Sequence, residues 1–171
     1  QKKLENCINS DLANNYGNLC QRVISFNEKN FNLKVPDNYK FNKDDQQILD
    51  TYSSNIENLI NSIDNQNINY YVNFIQEQLF AANKYFNDQE PWKKKSDKER
   101  LNSILYVSLE LIRKISILLY PIIPESSIKA LKTFNITEDK IDFNTIKNHE
   151  ILRVNSDINK ISILFKKIIK T

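Results

Sequence analysis

One predicted helix carries polar side chains whose spacing suits hydrogen bonding to a ligand. Asn18 and Arg22 are four residues apart, which places their side chains together on one helix face. Each directly precedes a residue of an apolar stripe, Leu19 or Val23, so this polar edge lies about 100° around the helix from the buried face. An amide and a guanidinium beside a core can read the edge of an unpaired base. Packing against a neighbouring helix explains the edge equally well.

The only tryptophan stands at a break between two predicted helices. Trp92 follows Pro91 and precedes three lysines, Lys93, Lys94 and Lys95. An aromatic residue at a helix junction most often plugs the core. The alternative is a surface on which an unpaired base stacks, a contact worth about 1 to 3 kcal/mol, with the lysines near the phosphates. In that case Asn18 and Arg22 are candidates for reading the base edges.

Residues that hold metals or perform covalent catalysis are scarce in this sequence. There is one histidine, His149, and two cysteines, Cys7 and Cys20, whereas a zinc site takes about four such ligands. We interpret both cysteines as ordinary small apolar residues of helices. Gly17 is the only glycine, which rules out a glycine-rich phosphate loop. We therefore predict no catalytic residue, no metal site and no cofactor within this chain.

Two pairs of neighbouring carboxylates have a structural explanation. Asp44 and Asp45 form one pair, and Asp97 and Glu99 form the other. Both pairs fall at the starts of predicted helices. Negative side chains in a first helical turn complement the partial positive charge of the helix N-terminus. We therefore assign no acid–base chemistry to them.

Charge and composition limit the class of protein loosely. The formal net charge of +3 is too small to indicate nucleic-acid binding, and the lysine clusters at 93–98 and 160–170 are most often solvated surface. No run approaches the roughly 18 to 20 apolar residues of a membrane span, and no signal-peptide pattern is present. We expect a reduced, cytoplasmic protein with no membrane partner. Because it begins with Gln1 and has no methionine, we expect it to be a piece of a longer chain.

Apolar residues recur at helical spacing through most of the chain. Residues on one face of an α-helix return every three or four positions, and four main stripes follow this rule. The stripes are Leu12, Tyr16, Leu19, Val23, Phe26; Ile48, Tyr52, Ile56, Leu59, Ile63; Ile68, Val72, Ile75, Leu79, Ala82, Phe86; and Leu101, Ile104, Leu105, Leu111, Ile112, Ile115, Leu118, Leu119. The fourth stripe is the widest and favours a place at the centre of a bundle.

Capping and proline residues mark the helix boundaries. Asn42 is suited to cap the second helix, and Ser96 with Glu99 has the spacing of a capping box at the start of the fourth. Pro121 ends the fourth helix, and Pro124 suits the first turn of a short fifth helix.

The last part of the chain has a weaker pattern. Residues 135–157 are polar with scattered apolar positions, and residues 158–170 suit either a helix or an extended segment. The sequence therefore predicts one all-α domain over residues 1–171. This domain is a helical bundle of four to five helices with a less regular C-terminal segment.

Four segments occur in an order and at a spacing typical of one protein family. They are DLANNYGNLCQR at 11–22, NKYFNDQEPWKKKSDKERL at 83–101, ILYVSLELIRKISILLYPIIPESSIKAL at 104–131 and ILFKKI at 163–168. Together they resemble the anticodon-binding domain of bacterial-type methionyl-tRNA synthetases, which belong to class Ia. That family has D-L-A-N-x-x-G-N-L-x-x-R, N-x-Y-[IV]-x-x-x-x-P-W, a long helix before a P-x-[ML]-P turn, and I-L-F-P-R-I. Phe86 replaces the Ile or Val, and Lys166 and Lys167 replace the last Pro and Arg.

The resemblance implies a function and site residues. It implies that Trp92 stacks on an anticodon base, that Pro91 shapes the Trp loop, and that Asn18 and Arg22 help to recognise the anticodon, CAU in methionine tRNAs. The implied partners are the methionine tRNA and the catalytic domain of the same enzyme. The catalytic signatures H-I-G-H and K-M-S-K-S are absent, so ATP, methionine and any zinc are expected to bind outside this chain.

Two other interpretations remain open at this point. The chain could be the anticodon domain of another class I synthetase, such as the valine, isoleucine, leucine or cysteine enzyme. It could also be a helical bundle that binds protein and has no role with RNA, in which case Trp92 would be buried. Exposure of Trp92 therefore separates the RNA interpretation from the protein one.

Overall fold

The fold is a bundle of α-helices, here taken from a computed structural model that describes residues 12–161. Within that range the helices are α1 (Ala13–Phe31), α2 (Lys43–Asp64), α3 (Ile68–Gln89), α4 (Lys98–Leu119) and α5 (Pro124–Lys132). Short 3₁₀ turns follow at Pro91–Lys93, Glu138–Lys140 and Phe143–Lys147. Among these described residues there is no strand, only an isolated bridge between Lys34 and Asp157. The predicted all-α bundle with an irregular C-terminal segment is confirmed.

Helix α4 lies at the centre of the bundle. It packs against α1, α2, α3 and α5, and every residue from 103 to 119 is buried. A helix that is apolar around most of its circumference is stable only when neighbours cover all of its sides. The prediction of a central position for the fourth stripe is confirmed. None of the described helices is long and apolar enough to cross a membrane.

The apolar stripes predict the core well, except at the turn between α2 and α3. Leu12 and Val23 of the first stripe and Tyr52 of the second are fully or almost fully buried. Ile63 and Ile68, which were expected to face the core, are exposed at 38% and 52%. Ile63 lies at the end of α2, and Ile68 lies at the start of α3. Helical periodicity gives the side of a helix that faces the core, but not how far the core extends.

One of the two predicted helix caps is correct. The Asn42 side chain accepts a hydrogen bond from the Asp45 amide at 3.0 Å, and the Asp45 carboxylate accepts one from the Asn42 amide at 3.0 Å. The capping box predicted from Ser96 and Glu99 is wrong, because α4 begins one residue later. Asp97 is its cap and accepts from the Arg100 amide at 3.1 Å. Aspartate caps a helix at least as well as serine, so the later start costs nothing.

The segment after α5 is fastened to α4 by three buried charged residues. The Glu110 carboxylate accepts from the backbone amides of Ile151 and Leu152 at 2.8 and 2.7 Å. Arg113 donates to Glu110 at 2.7 Å and also contacts the backbone oxygens of Thr145 and Asn148. Lys114 donates to the backbone oxygens of Ile146 and Asn148. Residues 143–152 are thus held to the central helix by polar contacts, and the buried side chains of Ile146 and Leu152 add to the core.

Some expectations fall on parts of the chain beyond this description. Residues 158–161 have no regular secondary structure. The remainder of the predicted helical or extended segment, including Lys166 and Lys167, lies outside the described residues, as does Cys7. The other cysteine, Cys20, is buried in α1 as predicted for a small apolar residue.

Candidate nucleic-acid interface

The polar edge of α1 faces α3. The Asn83 amide of α3 donates to the backbone oxygen of Asn15 at 3.2 Å. Further along, the Arg22 guanidinium donates to the side-chain oxygen of Asn87. The predicted polar edge therefore serves helix packing in part, while Asn18 and Arg22 both remain exposed. Asn18 lies on α1 one turn before Arg22, as its spacing predicted.

Arg22 also lies over an aromatic ring of α3. Its guanidinium carbon is 5.4 Å from the centre of the Phe86 ring. Phe86 is buried, and Phe26 of α1 packs edge-on against it with 6.0 Å between ring centres. A cation over a ring at an exposed site is stabilised by about 0.5 to 1 kcal/mol. The ring and Asn87 together hold the guanidinium in one place while it stays open to solvent.

Trp92 contacts the same phenylalanine. Its ring lies edge-on to Phe86, with 6.2 Å between ring centres and 68° between the ring planes. Trp92 is 43% exposed, which is too much for a core plug. Phe86 therefore joins Arg22 to Trp92 through direct contacts, although these residues are 70 positions apart. We call Arg22, Phe86, Asn87 and Trp92 the Arg22–Trp92 surface.

A short loop, residues 90–97, presents the tryptophan. Glu90 ends α3 with a left-handed backbone at φ 45°, and Pro91, which is buried, begins a 3₁₀ turn. Proline fixes its own φ near −65°, which suits the first position of such a turn. Lys93 forms an ion pair with Glu90 at 2.8 Å across the turn. Pro91 is thus buried at the start of the loop that presents Trp92.

A buried ion pair lies at the base of this loop. Asp45 of α2 is fully buried and accepts two hydrogen bonds from Arg100 of α4, at 2.6 and 3.0 Å. The Tyr85 hydroxyl donates to the same carboxylate at 2.6 Å. Burial alone would raise the pKa of Asp45, but the hydrogen bonds from Arg100, Tyr85 and the Asn42 amide outweigh it and lower that pKa. The helix-start role predicted for Asp45 is therefore only part of its function.

Phe86, Asn87 and Arg100 are members of the site that sequence reasoning missed. Phe86 stood out only as a member of an apolar stripe and as a departure from a family pattern, and neither Phe86 nor Asn87 was predicted to take part in binding. Their contacts with Arg22 join residues more than 60 positions apart, and no periodicity in one helix carries such information. Lys93, Lys95 and Lys98 are exposed near the loop. Among the described residues no group of three or more His, Cys, Asp or Glu could hold a metal ion.

Comparison with known proteins decides the family. A family model described as the anticodon binding domain of methionyl tRNA ligase matches residues 35–171. The chain belongs to this family. The matched range contains the Trp92 loop but not α1, which carries Asn18 and Arg22.

Matches to individual methionine–tRNA ligases agree, and one of them extends across α1. The enzyme of Thermotoga maritima is 30% identical over 170 residues, covering 98% of this chain and 27% of that protein. The enzyme of Brucella suis biovar 1 is 37% identical over 139 residues, covering 81% of this chain and 27% of that protein. This chain thus spans about a quarter of the length of these ligases.

Solved structures give the same assignment. The free methionyl-tRNA synthetase of Mycobacterium tuberculosis aligns with a TM-score of 0.89 at 28% identity, over 100% of this chain and 35% of that one. The same enzyme in complex with methionyl-adenylate aligns with a TM-score of 0.86 at 29% identity, over 96% and 33% of the two chains. The bundle described above is the anticodon-binding domain fold of these synthetases.

Proposed function

We propose that this chain recognises the anticodon of a methionine tRNA through the Arg22–Trp92 surface. One observation carries the proposal: Phe86 contacts both Arg22 and Trp92, so that an exposed cation and a half-exposed indole form one surface. We expected Trp92 to be buried if the chain were a protein-interaction bundle, and it is 43% exposed. Family membership independently supports binding of the anticodon.

The chemistry of the surface suits a single-stranded RNA loop. An unpaired base can stack on the open face of the Trp92 ring, and Arg22 and Asn18 offer hydrogen-bond donors to base edges. Arg22 has five N–H donors, and its bond to Asn87 uses one of them. Pro91 shapes the loop, and the exposed Lys93 offers positive charge to a phosphate. Specificity for CAU would come from the hydrogen bonds, since stacking tolerates every base.

The proposal extends to the parent enzyme. The relatives are methionine–tRNA ligases about four times as long as the matched segment, so we infer that residues 1–171 form one anticodon-binding domain of such an enzyme. The attachment of methionine to tRNA, and the ATP that it consumes, then belong to a catalytic domain in the rest of the protein. We place this enzyme in the cytoplasm, with its tRNA and the translation machinery.

A titration with RNA hairpins tests the proposal. The probe is a stem–loop that carries the CAU anticodon, compared with the same hairpin with its first anticodon base changed. Binding is followed by the fluorescence of Trp92, the only tryptophan, and by a label on the RNA. We expect quenching with the CAU hairpin and weaker quenching with the altered one. The altered anticodon should bind about 5- to 150-fold more weakly, as one mismatched contact worth roughly 1 to 3 kcal/mol predicts.

A matched pair of variants ties the result to Trp92. Trp92→Ala should lose about 5- to 150-fold in affinity, because stacking of a base on an aromatic ring is worth about 1 to 3 kcal/mol. Tyr70→Ala removes a similarly exposed aromatic side chain near the start of α3, and should leave the affinity unchanged. Equal affinity of the wild-type chain for both hairpins at low salt would contradict anticodon recognition.

A further inference from the structure

Arg100 joins the two ends of the loop that carries Trp92. Gln89 is the last residue of α3 and precedes the loop, whereas Arg100 lies in the first turn of α4 and follows it. The Arg100 guanidinium donates to the Gln89 side-chain oxygen at 2.7 Å. A contact between the two ends of a segment restricts the conformations that the segment between them can adopt. This contact therefore restrains residues 90–97.

The contact is anchored in the core by Asp45. The carboxylate accepts hydrogen bonds from both terminal nitrogens of the Arg100 guanidinium, and a third hydrogen bond comes from the Tyr85 hydroxyl. A paired guanidinium and carboxylate fix each other in orientation as well as in distance. Because Asp45 belongs to α2 and Tyr85 to α3, three helices meet at the base of the loop. The side chain of Arg100 is itself only 16% exposed.

Trp92 depends on the loop backbone for its position. Its ring packs edge-on against Phe86 and remains 43% exposed. Because a partly exposed ring has fewer packing contacts than a buried one, the backbone that carries it contributes more to its orientation. A base that stacks on an already oriented ring does not have to order the loop on binding, so its affinity is higher.

We propose that Arg100 is a positioning residue that, with Asp45 and Gln89, orders the Trp92 loop for stacking with an RNA base. The RNA part of this inference rests on the proposed function, whereas the ordering of the loop does not. The two parts are therefore tested separately. All experiments use the full 171-residue chain.

Acrylamide quenching of Trp92 fluorescence without RNA tests the order of the loop. Gln89→Ala removes only the contact at the end of α3, and Arg100→Lys keeps the charge but loses the two-pronged contact. Both variants should raise the quenching constant. Tyr71→Phe is the control, because it removes a buried hydroxyl that is bound to the Leu118 oxygen far from the loop. This variant should lower the unfolding midpoint and leave the quenching constant unchanged. An unchanged quenching constant in Gln89→Ala, or in both variants, would overturn the inference. If Arg100→Lys does not fold, the result with Gln89→Ala decides alone.

A double-mutant cycle with a CAU hairpin tests the link to RNA. Arg100→Lys should lose about 2- to 12-fold in affinity, the loss expected when one side chain must be ordered on binding. In the Trp92→Ala background the same substitution should cause no further loss. Equal losses in both backgrounds would show that Arg100 does not act through Trp92, and would overturn its positioning role. If Trp92→Ala alone binds as tightly as the wild type, Trp92 does not take part in RNA binding and that part of the proposed function is wrong. The quenching result still decides whether Arg100 orders the loop.

Discussion

Among the described residues, two cations lie over aromatic rings, and their surroundings differ. Arg22 lies 5.4 Å from the centre of the Phe86 ring and is exposed, with a hydrogen bond to Asn87. Lys114 lies 5.7 Å from the centre of the Tyr52 ring and is fully buried. Its ammonium also donates to two backbone oxygens of the segment after α5. The same type of contact thus occurs once at the surface and once in the core.

The difference teaches how a binding contact can be distinguished from a structural one. Burial, together with the nearby charge of Arg113, lowers the pKa of Lys114 to about 7, despite the opposing charge of Glu110. A buried cation must use its hydrogen-bond donors within the protein, and Lys114 uses its donors to hold residues 143–152. Arg22 is held by Phe86 and Asn87 but keeps donors directed to solvent. Only the exposed cation can still bind a ligand, so substitutions in the two regions should affect different properties.

The largest effect is expected from Glu110→Gln in the buried region. This change leaves the buried charge of Arg113 without its anion, a loss that typically costs about 3 to 5 kcal/mol. Urea unfolding should show that decrease in stability. At a temperature at which the variant is folded, its affinity for the CAU hairpin should stay within about twofold of wild type. A stability loss below about 1 kcal/mol would mean that this network does not hold the segment.

Asp45→Asn should show a pH-dependent loss of stability. The folded pKa of Asp45 is lowered, so its carboxylate stabilises the fold above the unfolded pKa of about 3.9, and this contribution is lost as the pH falls through the folded pKa. We expect the variant to be less stable by about 3 kcal/mol at pH 7, as for a broken buried pair. The difference should shrink only below about pH 4. A constant difference from pH 7 to pH 3 would contradict the lowered pKa.

Arg22→Ala should show the opposite pattern to Glu110→Gln. Affinity for the hairpin should fall about tenfold, which corresponds to roughly 1.4 kcal/mol. Stability should fall by no more than about 1 kcal/mol, because a cation–ring contact at an exposed site is worth about 0.5 to 1 kcal/mol. Arg153→Ala is the matched control, since it removes an exposed arginine of the segment after α5. A stability loss as large as that of Glu110→Gln would end the distinction between the two regions.

Lys93→Ala should have the smallest effect and sharpen the outline of the surface. Lys93 is exposed and already paired with Glu90, so removing it should weaken hairpin binding by at most about threefold. If it contacts a phosphate, the slope of log affinity against log salt should decrease by about 0.7. An unchanged slope would assign Lys93 to the solvated surface outside the RNA contact.

The sequence predicted the helices but not the contacts between them. The stripes that include Leu12 and Tyr52 identified buried faces, and Asn42 was correctly predicted as a cap, because these signals depend on neighbours within one helix. The cap of α4 is Asp97 rather than Ser96. Both residue types cap helices well and the two are neighbours, so the sequence did not distinguish them. The exposure of Ile63 depends on how far the core extends along the helix, and helical periodicity carries no information about that extent.

Only some residues of the candidate site could be predicted from the sequence, and none of the contacts between them. Asn18, Arg22 and Trp92 stood out by type and spacing, and their exposure agrees with the binding interpretation. The bridge through Phe86 joins α1 to the Trp92 loop, and the pairing of Asp45 with Arg100 spans 55 positions. Such contacts arise from packing of distant segments, so a single sequence gave no signal for them.

A coupling measurement between protein and RNA tests the central claim most directly. Affinities are measured for wild type and Arg22→Ala, each with the CAU hairpin and with the hairpin whose first anticodon base is changed. If the Arg22–Trp92 surface reads the anticodon, the two changes should not be additive, and their coupling energy should reach about 1 kcal/mol. Additive losses, or an Arg22→Ala variant that still distinguishes the hairpins as well as wild type, would contradict the account.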